Sequence, residues 1–429
     1  MKKNICVMII VVVLLGVFCT CSSGGDDLEI DFEETSLSGT LTIDCYFDYG
    51  MQFVADYFMK QHPDVTIEVV DHSRSSDTIY GNIAEYNTKI ATELLSGSCK
   101  GIIDVGAVTK FKFAKSGLFC DLYDFMEQDP DFKKEDYFEN IFEALEYKDQ
   151  LFYLANSAQV LTLRGNMDML QEGMLPDYGV LTSDMVIEVY ERVSPDFEDL
   201  HVFSTKASEI FEPTNRHLYL DTKTETAYFD TPEFIDYLAL QKQYNTMPEN
   251  NEPYLFEFYL TNMNSITEKN SMETIFDKDD GYSAPLLFGD RNGNVGFQTR
   301  NLLAIPASVD NKRLAWEFLK CYIGEKDLAD FNSIYQISLM MPELPINKYN
   351  CLKYFDYEGI QAQNTKGEAV TNASDWVMDV ISVIDHHEEQ NGELLSAILE
   401  PYDQFLNGIL TAEEAANQMQ ERATLFFGE

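Results

Sequence analysis

The sequence predicts an α/β fold in two lobes, on three observations. Its first third alternates between strand and helix periodicity. Its 429 residues exceed what one core ordinarily organises. Its apolar fraction of 45% is enough to bury sizeable cores and argues against global disorder.

The elements follow in order. Residues 40–44 alternate around Leu41 and Ile43, as a strand does. Residues 50–61 carry Phe53, Val54, Tyr57 and Phe58 at helical spacing, and Pro63 stops the helix. Residues 65–70 read as a second strand. Residues 83–95 read as a second helix, with Ile83, Ile90, Ala91, Leu94 and Leu95 on one face and Gly97 at its end. Residues 102–108, nearly all apolar, read as a third strand. Strand, helix, strand, helix, strand is the pattern of a mainly parallel sheet. Further on, Thr182-Ser183-Asp184 can cap a helix running through Glu191. Thr231 followed by Pro232 is a polar cap with proline in the first turn. Asn311 opens a helix carrying Ala315, Trp316, Phe318, Leu319 and Tyr322, with Trp316 in the core. Residues 397–406 read as a helix broken at Asn407-Gly408, and Thr411 with Glu414 forms a capping box for the last helix.

Charge narrows the function classes. Thirty basic against 73 acidic side chains give a formal charge of −43. Such a surface repels phosphate backbones, so no nucleic-acid partner is expected. It also disfavours peripheral docking on anionic lipid. The N-terminus is more specific. Lys2 and Lys3 precede an almost purely apolar run, residues 5–18, which is too short to span a bilayer. Cys19-Thr20-Cys21-Ser22-Ser23-Gly24-Gly25 follows. This segment resembles a bacterial lipoprotein signal. It implies a signal peptide over residues 1–20, lipidation of Cys21 and a flexible tether over 21–37. No later stretch is long and apolar enough for a transmembrane helix. Cys45, Cys99, Cys120, Cys321 and Cys351 are odd in number and form no CxxC pair, so buried free thiols are expected.

Five stretches together resemble the extracellular solute-binding proteins that serve carbohydrate ABC importers. They are residues 53–58 leading to His62-Pro63-Asp64-Val65; residues 89–97 with Asp104-Val105; Gly117-Leu118-Phe119 with 151–155; residues 303–306 with 311–320; and residues 405–408 with 411–416. The resemblance implies a type II periplasmic-binding-protein-like α/β fold, with hinge strands and an interlobe ligand cleft. It places lobe one at 38–153 plus 296–345, and lobe two at 154–295 plus 346–429. It implies a monomer, anchored by lipid on the outer face of the cytoplasmic membrane, that captures a sugar or oligosaccharide and delivers it to an ABC permease. No catalysis, cofactor or metal is expected. A non-sugar solute such as a peptide or polyamine is the runner-up, ahead of a secreted glycan-processing enzyme.

Open α/β sheets bind ligands at the C-terminal ends of their strands. Sugars need aromatic faces for their C–H surfaces and carboxylates or amides for their hydroxyls. Tyr46, Asp48 and Tyr49 after the first strand offer both, and Thr109 follows the third. Asn156 and Ser157 follow a hinge strand. Asn294 and Gln298 flank glycines before the return crossing, while Tyr259 and Trp376 supply aromatic walls. These ten are the expected ligand contacts. Enzyme motifs fail on spacing. Gly97-Ser98-Cys99-Lys100-Gly101 follows a helix where a nucleophile elbow follows a strand. His386-His387-Glu388-Glu389 lacks the second zinc-ligand position. In the loop opening at Asp290, Val295 stands where a calcium site needs glycine.

Overall fold

The computed structural model describes residues 30–32, 36–48, 50–75, 83–106, 108, 110–171, 173–176, 179–249, 252–261, 281–283, 286–324, 344–352, 361–363, 369–372, 378, 381–388 and 392–428. The first unit is the alternation expected: β1 (Gly39–Cys45), α1 (Met51–Gln61), β2 (Val65–Asp71), α2 (Ile83–Ser96) and β3 (Gly101–Asp104). β1 lies between β2 and β3 and is parallel to both. Leu41, Ile43, Ile67 and Ile102 are buried under α1 and α2 residues such as Val54, Phe58 and Ile90. β3 stops at Asp104 rather than running to 108. The Asp104 carboxylate turns the chain there, accepting from Gly106 N (3.0 Å), Leu302 N (3.1 Å) and Asn301 Nδ2 (2.7 Å). Three short helices follow: α3 (Lys110–Lys115), α4 (Leu122–Gln128) and α5 (Glu139–Leu145).

The second half of the fold is organised by β4 (Ser157–Gly165). After it come β5 (Val180–Thr182), α6 (Ser183–Val193), β6 (His201–Phe203) and α7 (Ala207–Asn215). The hairpin β7 (Leu220–Asp221) and β8 (Thr226–Ala227) leads to α8 (Pro232–Tyr244), β9 (Tyr254–Thr261), β10 (Leu286–Gly289) and β11 (Val295–Gln298). Then come β12 (Leu303–Ala304), α9 (Lys312–Tyr322), β13 (Leu344–Pro345), β14 (Gln361–Gln363), β15 (Ala369–Asn372), β16 (Ile384–His387), α10 (Gly392–Leu406) and α11 (Ala412–Gly428). The second sheet runs β16-β11-β4-β10-β5, with β9 and β13 also paired to β4 and with β6 on β9. β12 leaves this region and closes the first sheet, antiparallel to β3. Local caps stand where the side chains placed them. Thr182, Thr231 and Asn311 accept from the helix starts they precede, and Thr411 and Glu414 bond reciprocally. α10 begins at Gly392, five residues before the expected 397.

Buried polar groups pair inside these cores. Trp316 is wholly buried, stacks on Phe125 (5.5 Å) and donates to Asp129 Oδ2 at 2.8 Å. Lys320 Nζ reaches the same oxygen at 2.6 Å. Burial alone would raise the Asp129 carboxyl, but the Lys320 and Trp316 hydrogen bonds outweigh it and hold the group below its ordinary range. The five described cysteines are buried free thiols. Burial pushes Cys99 and Cys120 up to about 11, which keeps them as unreactive thiols at neutral pH. No helix among the described residues is long and apolar enough to cross a membrane.

The chain passes between the two sheets along paired segments. Leu154 and Leu303, both wholly buried, exchange two backbone hydrogen bonds of 2.9 Å. β13 pairs with the start of β4, Leu344 opposite Ala158, and Ile346 N donates to Asn156 O at 3.0 Å. These crossings fix which ends of the two sheets face each other.

Candidate functional site

Beside the crossings lies a cavity of about 270 Å³ with walls from both halves of the fold. Small-molecule sites begin at about 300 Å³, so the space suits a compact solute. One wall holds Lys110 and Phe111 at the start of α3, the end of α5 through Tyr147, and Tyr153 just before the crossing. The opposite wall holds Arg216 and His217 after α7, the β7 turn through Lys223, and His386, His387 and Glu388 at the end of β16.

Packing explains why these side chains converge. β16 pairs with β11 in parallel, with a register shift at Val295/Gly296. Gly296 is a hydrogen-sized position: a Cβ there would stand 2.6 Å from His386 Nε2 and 2.8 Å from Glu388 Cγ. The glycine lets β16 lie against β11 with His386 and Glu388 turned inward. Gln298 on β11 then donates to Glu388 Oε2 at 2.5 Å. His386 stacks on His217, centroids 3.6 Å apart, and His217 Nε2 lies 3.1 Å from the wholly buried Asp290 Oδ2. His217 Nδ1 is buried without a hydrogen-bond partner among the described residues. Asp290 also accepts from Asn292 N (2.7 Å), Asn294 N (2.8 Å) and Asn294 Nδ2 (2.8 Å). Burial pushes its carboxyl up, and the contacts with His217 and Asn294 more than reverse that, leaving it below its ordinary range.

The outer rim is closed by side chains. Glu225, in the β7–β8 turn, meets Lys115 Nζ (2.6 Å), the Tyr147 hydroxyl (2.6 Å) and Lys148 Nζ (3.5 Å) from the opposite wall. The hydrogen bond from Lys115, then that from Tyr147, pull the Glu225 carboxyl down to about 2. Lys223 Nζ adds a hydrogen bond to Glu143 O (3.0 Å). Lys148, Asp149 and Glu225 have φ of 53°, 63° and 57°. Left-handed backbone at non-glycine residues costs energy and concentrates at clamps and sites.

Among the described residues, none of the expected contacts lines this cavity. Tyr46 packs edge-on against Phe47 (4.7 Å) and near Tyr86 (5.8 Å). Asp48 Oδ1 accepts from Gln52 N (2.9 Å) at the start of α1. Asn156 accepts from the Ser157 hydroxyl (2.9 Å) beside the crossing, and Ser157 is buried. Gln298 stands one contact behind the wall, on Glu388, and Asn294 two, on the Asp290 that meets His217. Tyr259 sits opposite Thr162 in the β9–β4 ladder, its side chain outside the described residues. Tyr49, Thr109, Trp376 and Cys21 also lie outside them, as do residues 1–20 and most of the tether. Lys110, Tyr153, Arg216, His217 and the His386-His387-Glu388 run were missed as ligand candidates. Among the described residues no group of three or more His/Cys/Asp/Glu could hold a metal. Lys110 was one residue past a candidate.

No protein-family model matches the chain. No curated protein matches it. Solved structures do. The sugar-binding protein MalE of Xanthomonas citri aligns with a TM-score of 0.63 at 12% identity, over 91% of this chain and 98% of that one. An ABC substrate-binding protein of Listeria monocytogenes, solved with cycloalternan, aligns at 0.58 and 14%, over 91% and 100%. An ABC transporter solute-binding protein of Thermotoga lettingae, bound to α-D-tagatose, aligns at 0.53 and 18%, over 91% and 100%. At these identities the likeness establishes the fold: two α/β lobes of the type II periplasmic-binding kind.

Proposed function

We propose that this chain is the extracellular receptor of an ABC importer, taking a sugar or oligosaccharide into the cavity between its lobes and presenting it to a membrane permease. One observation carries the reading: a cavity walled by both halves of the fold, with backbone crossings at one edge and an ion-pair clasp at the other. Tyr147, Tyr153 and Phe111 offer apolar faces, and the polar groups beside them can meet hydroxyls. Solute capture between two lobes is what this fold does in the proteins it resembles, and binding without turnover is the corresponding role here. The lobes are taken as 38–153 plus 296–345 and 154–295 plus 346–429, so closure is a rotation about the crossings. A signal peptide over 1–20, lipid on Cys21 and the 21–37 tether would hold a monomeric receptor at the outer face of the cytoplasmic membrane.

The test is a thermal-stability screen against mono- and oligosaccharides. A solute that binds only the native state at a hundred times its Kd adds about 2.7 kcal/mol, a readily measured shift. A hit on one glycan class, with the glycan recovered intact, supports the receptor. Silence across the panel, or cleavage of the glycan, contradicts it.

A further inference from the structure

We propose that residues 30–38 form a strap fixed to the first lobe, so that the lipid-anchored receptor stands with its α4–α9 face toward the membrane. This inference rests on the anchor reading at Cys21 and adds an orientation to it. Composition reads the segment as linker, since it is acidic and follows Ser22-Ser23-Gly24-Gly25. Its apolar residues nevertheless alternate, with Leu28, Ile30 and Phe32 set between Glu29, Asp31 and Glu33. That is the pattern of an extended segment with one covered face. Ile30, Phe32 and Leu37 do pack against the core.

The surface under the strap is made by α4 and α9, which are joined where Trp316 stacks on Phe125. Ile30 N donates to Gln128 Oε1 at the end of α4 (3.1 Å). Arg313, in the first turn of α9, makes three contacts. Its Cζ lies 4.1 Å from the centroid of the Phe32 ring, one amino group donates to Asp31 O (3.3 Å), and the other pairs with Glu317. A planar guanidinium suits this place, because it can stack on a ring and donate from its edge at once. Farther along, Asn311 Nδ2 donates to Ser38 O (3.2 Å) and Gly39 N to Asp64 O (3.2 Å), where β1 begins. Both ends of the strap are therefore secured. Reach decides the consequence. A chain spans at most about 3.3–3.6 Å per residue, whatever its conformation. From Cys21 to Gly39 that allows about 60 Å, and from Cys21 to Ile30 only about 30 Å. A folded body of about 400 residues is about 55 Å across. The longer leash would let any face meet the lipid. The shorter one reaches only from the side that carries the strap, which keeps the first lobe at the bilayer and the second lobe beyond it.

The experiment places the lipidated full chain in phosphatidylcholine vesicles that carry a headgroup-labelled acceptor lipid. A donor dye is attached at Glu127→Cys, exposed on α4, or at Glu188→Cys, exposed on α6 beyond the edge strand β5. The described native cysteines are buried, so the dye goes to the introduced thiol. Energy transfer from position 127 should exceed that from position 188 by about twofold or more, as a reach of about 30 Å requires. Arg313→Ala should remove the difference, and Phe32→Ser, which leaves α9 intact, should do the same. In the chain without vesicles, hydrogen exchange over residues 30–32 should speed up by about tenfold or more in either variant, while the unfolding midpoint moves little. Equal transfer from the two positions, or transfer and exchange unaltered by both substitutions, would overturn the strap and leave the anchor standing. Failure of the unsubstituted chain to float with the vesicles, as Cys21→Ser should fail, would overturn the anchor and the orientation built on it.

Discussion

The two edges of the cavity are built from different interactions. At the inner edge, Leu154 and Leu303 are wholly buried and joined by backbone hydrogen bonds, and β13 reinforces the start of β4. At the outer edge, Glu225 is held by Lys115 and Lys148, whose side chains are more than half exposed. A buried backbone ladder is indifferent to pH and salt, and breaking it means unfolding. Exposed ion pairs contribute about 0–1 kcal/mol each and are screened by salt. One edge is thus permanent and the other reversible. The proposed receptor, which would open to admit a solute and close to hold it, would use both.

The comparison can be broken from either side. The largest effect belongs to the inner edge: Leu303→Ala should cost about 2–5 kcal/mol of unfolding free energy, measured by denaturant titration, because it leaves a cavity among buried residues. A cost under 1 kcal/mol would show that the crossing is loosely packed. Gly296→Ala comes next. Its Cβ would collide with His386 and Glu388, an overpacking cost of about 1–3 kcal/mol, with weakened solute binding in the thermal-stability screen. Glu225→Gln should change stability least, by about 0–1 kcal/mol, yet enlarge the scattering radius of the solute-free protein as the clasp loosens. An unchanged radius would detach the clasp from lobe closure.

The clasp also has a defined pH dependence. The Glu225 carboxyl is depressed from 4.5 to about 2. Its contribution is complete above pH 4.5 and is lost as pH falls through about 2. The stability difference between the protein and Glu225→Gln should therefore be flat from pH 7 to 5 and vanish near pH 2. A difference that instead disappears between pH 6 and 5 would point to a histidine.

Much of this fold was legible because its signals are local. The parallel βαβαβ unit shows in periodicity, and the caps at Thr231, Asn311 and Thr411–Glu414 each need only a few neighbouring residues. The end of β3 was misread because Asp104 is stopped by Asn301 and Leu302, nearly two hundred positions away. The cavity failed to appear for the same reason. Lys110, Tyr153, His217 and His386 come from four separate stretches of the chain, and no local pattern encodes their meeting. Sequence reasoning therefore found Gln298, which holds the wall residue Glu388, and Asn294, which bonds the Asp290 behind His217, rather than the wall.

The most direct test is a crystal structure of the chain bound to the saccharide that gives the largest thermal shift. The account predicts the solute between Tyr153 and the His217–His386 stack. A solute seated instead at Tyr46 and Asp48, with the cavity empty, would contradict it.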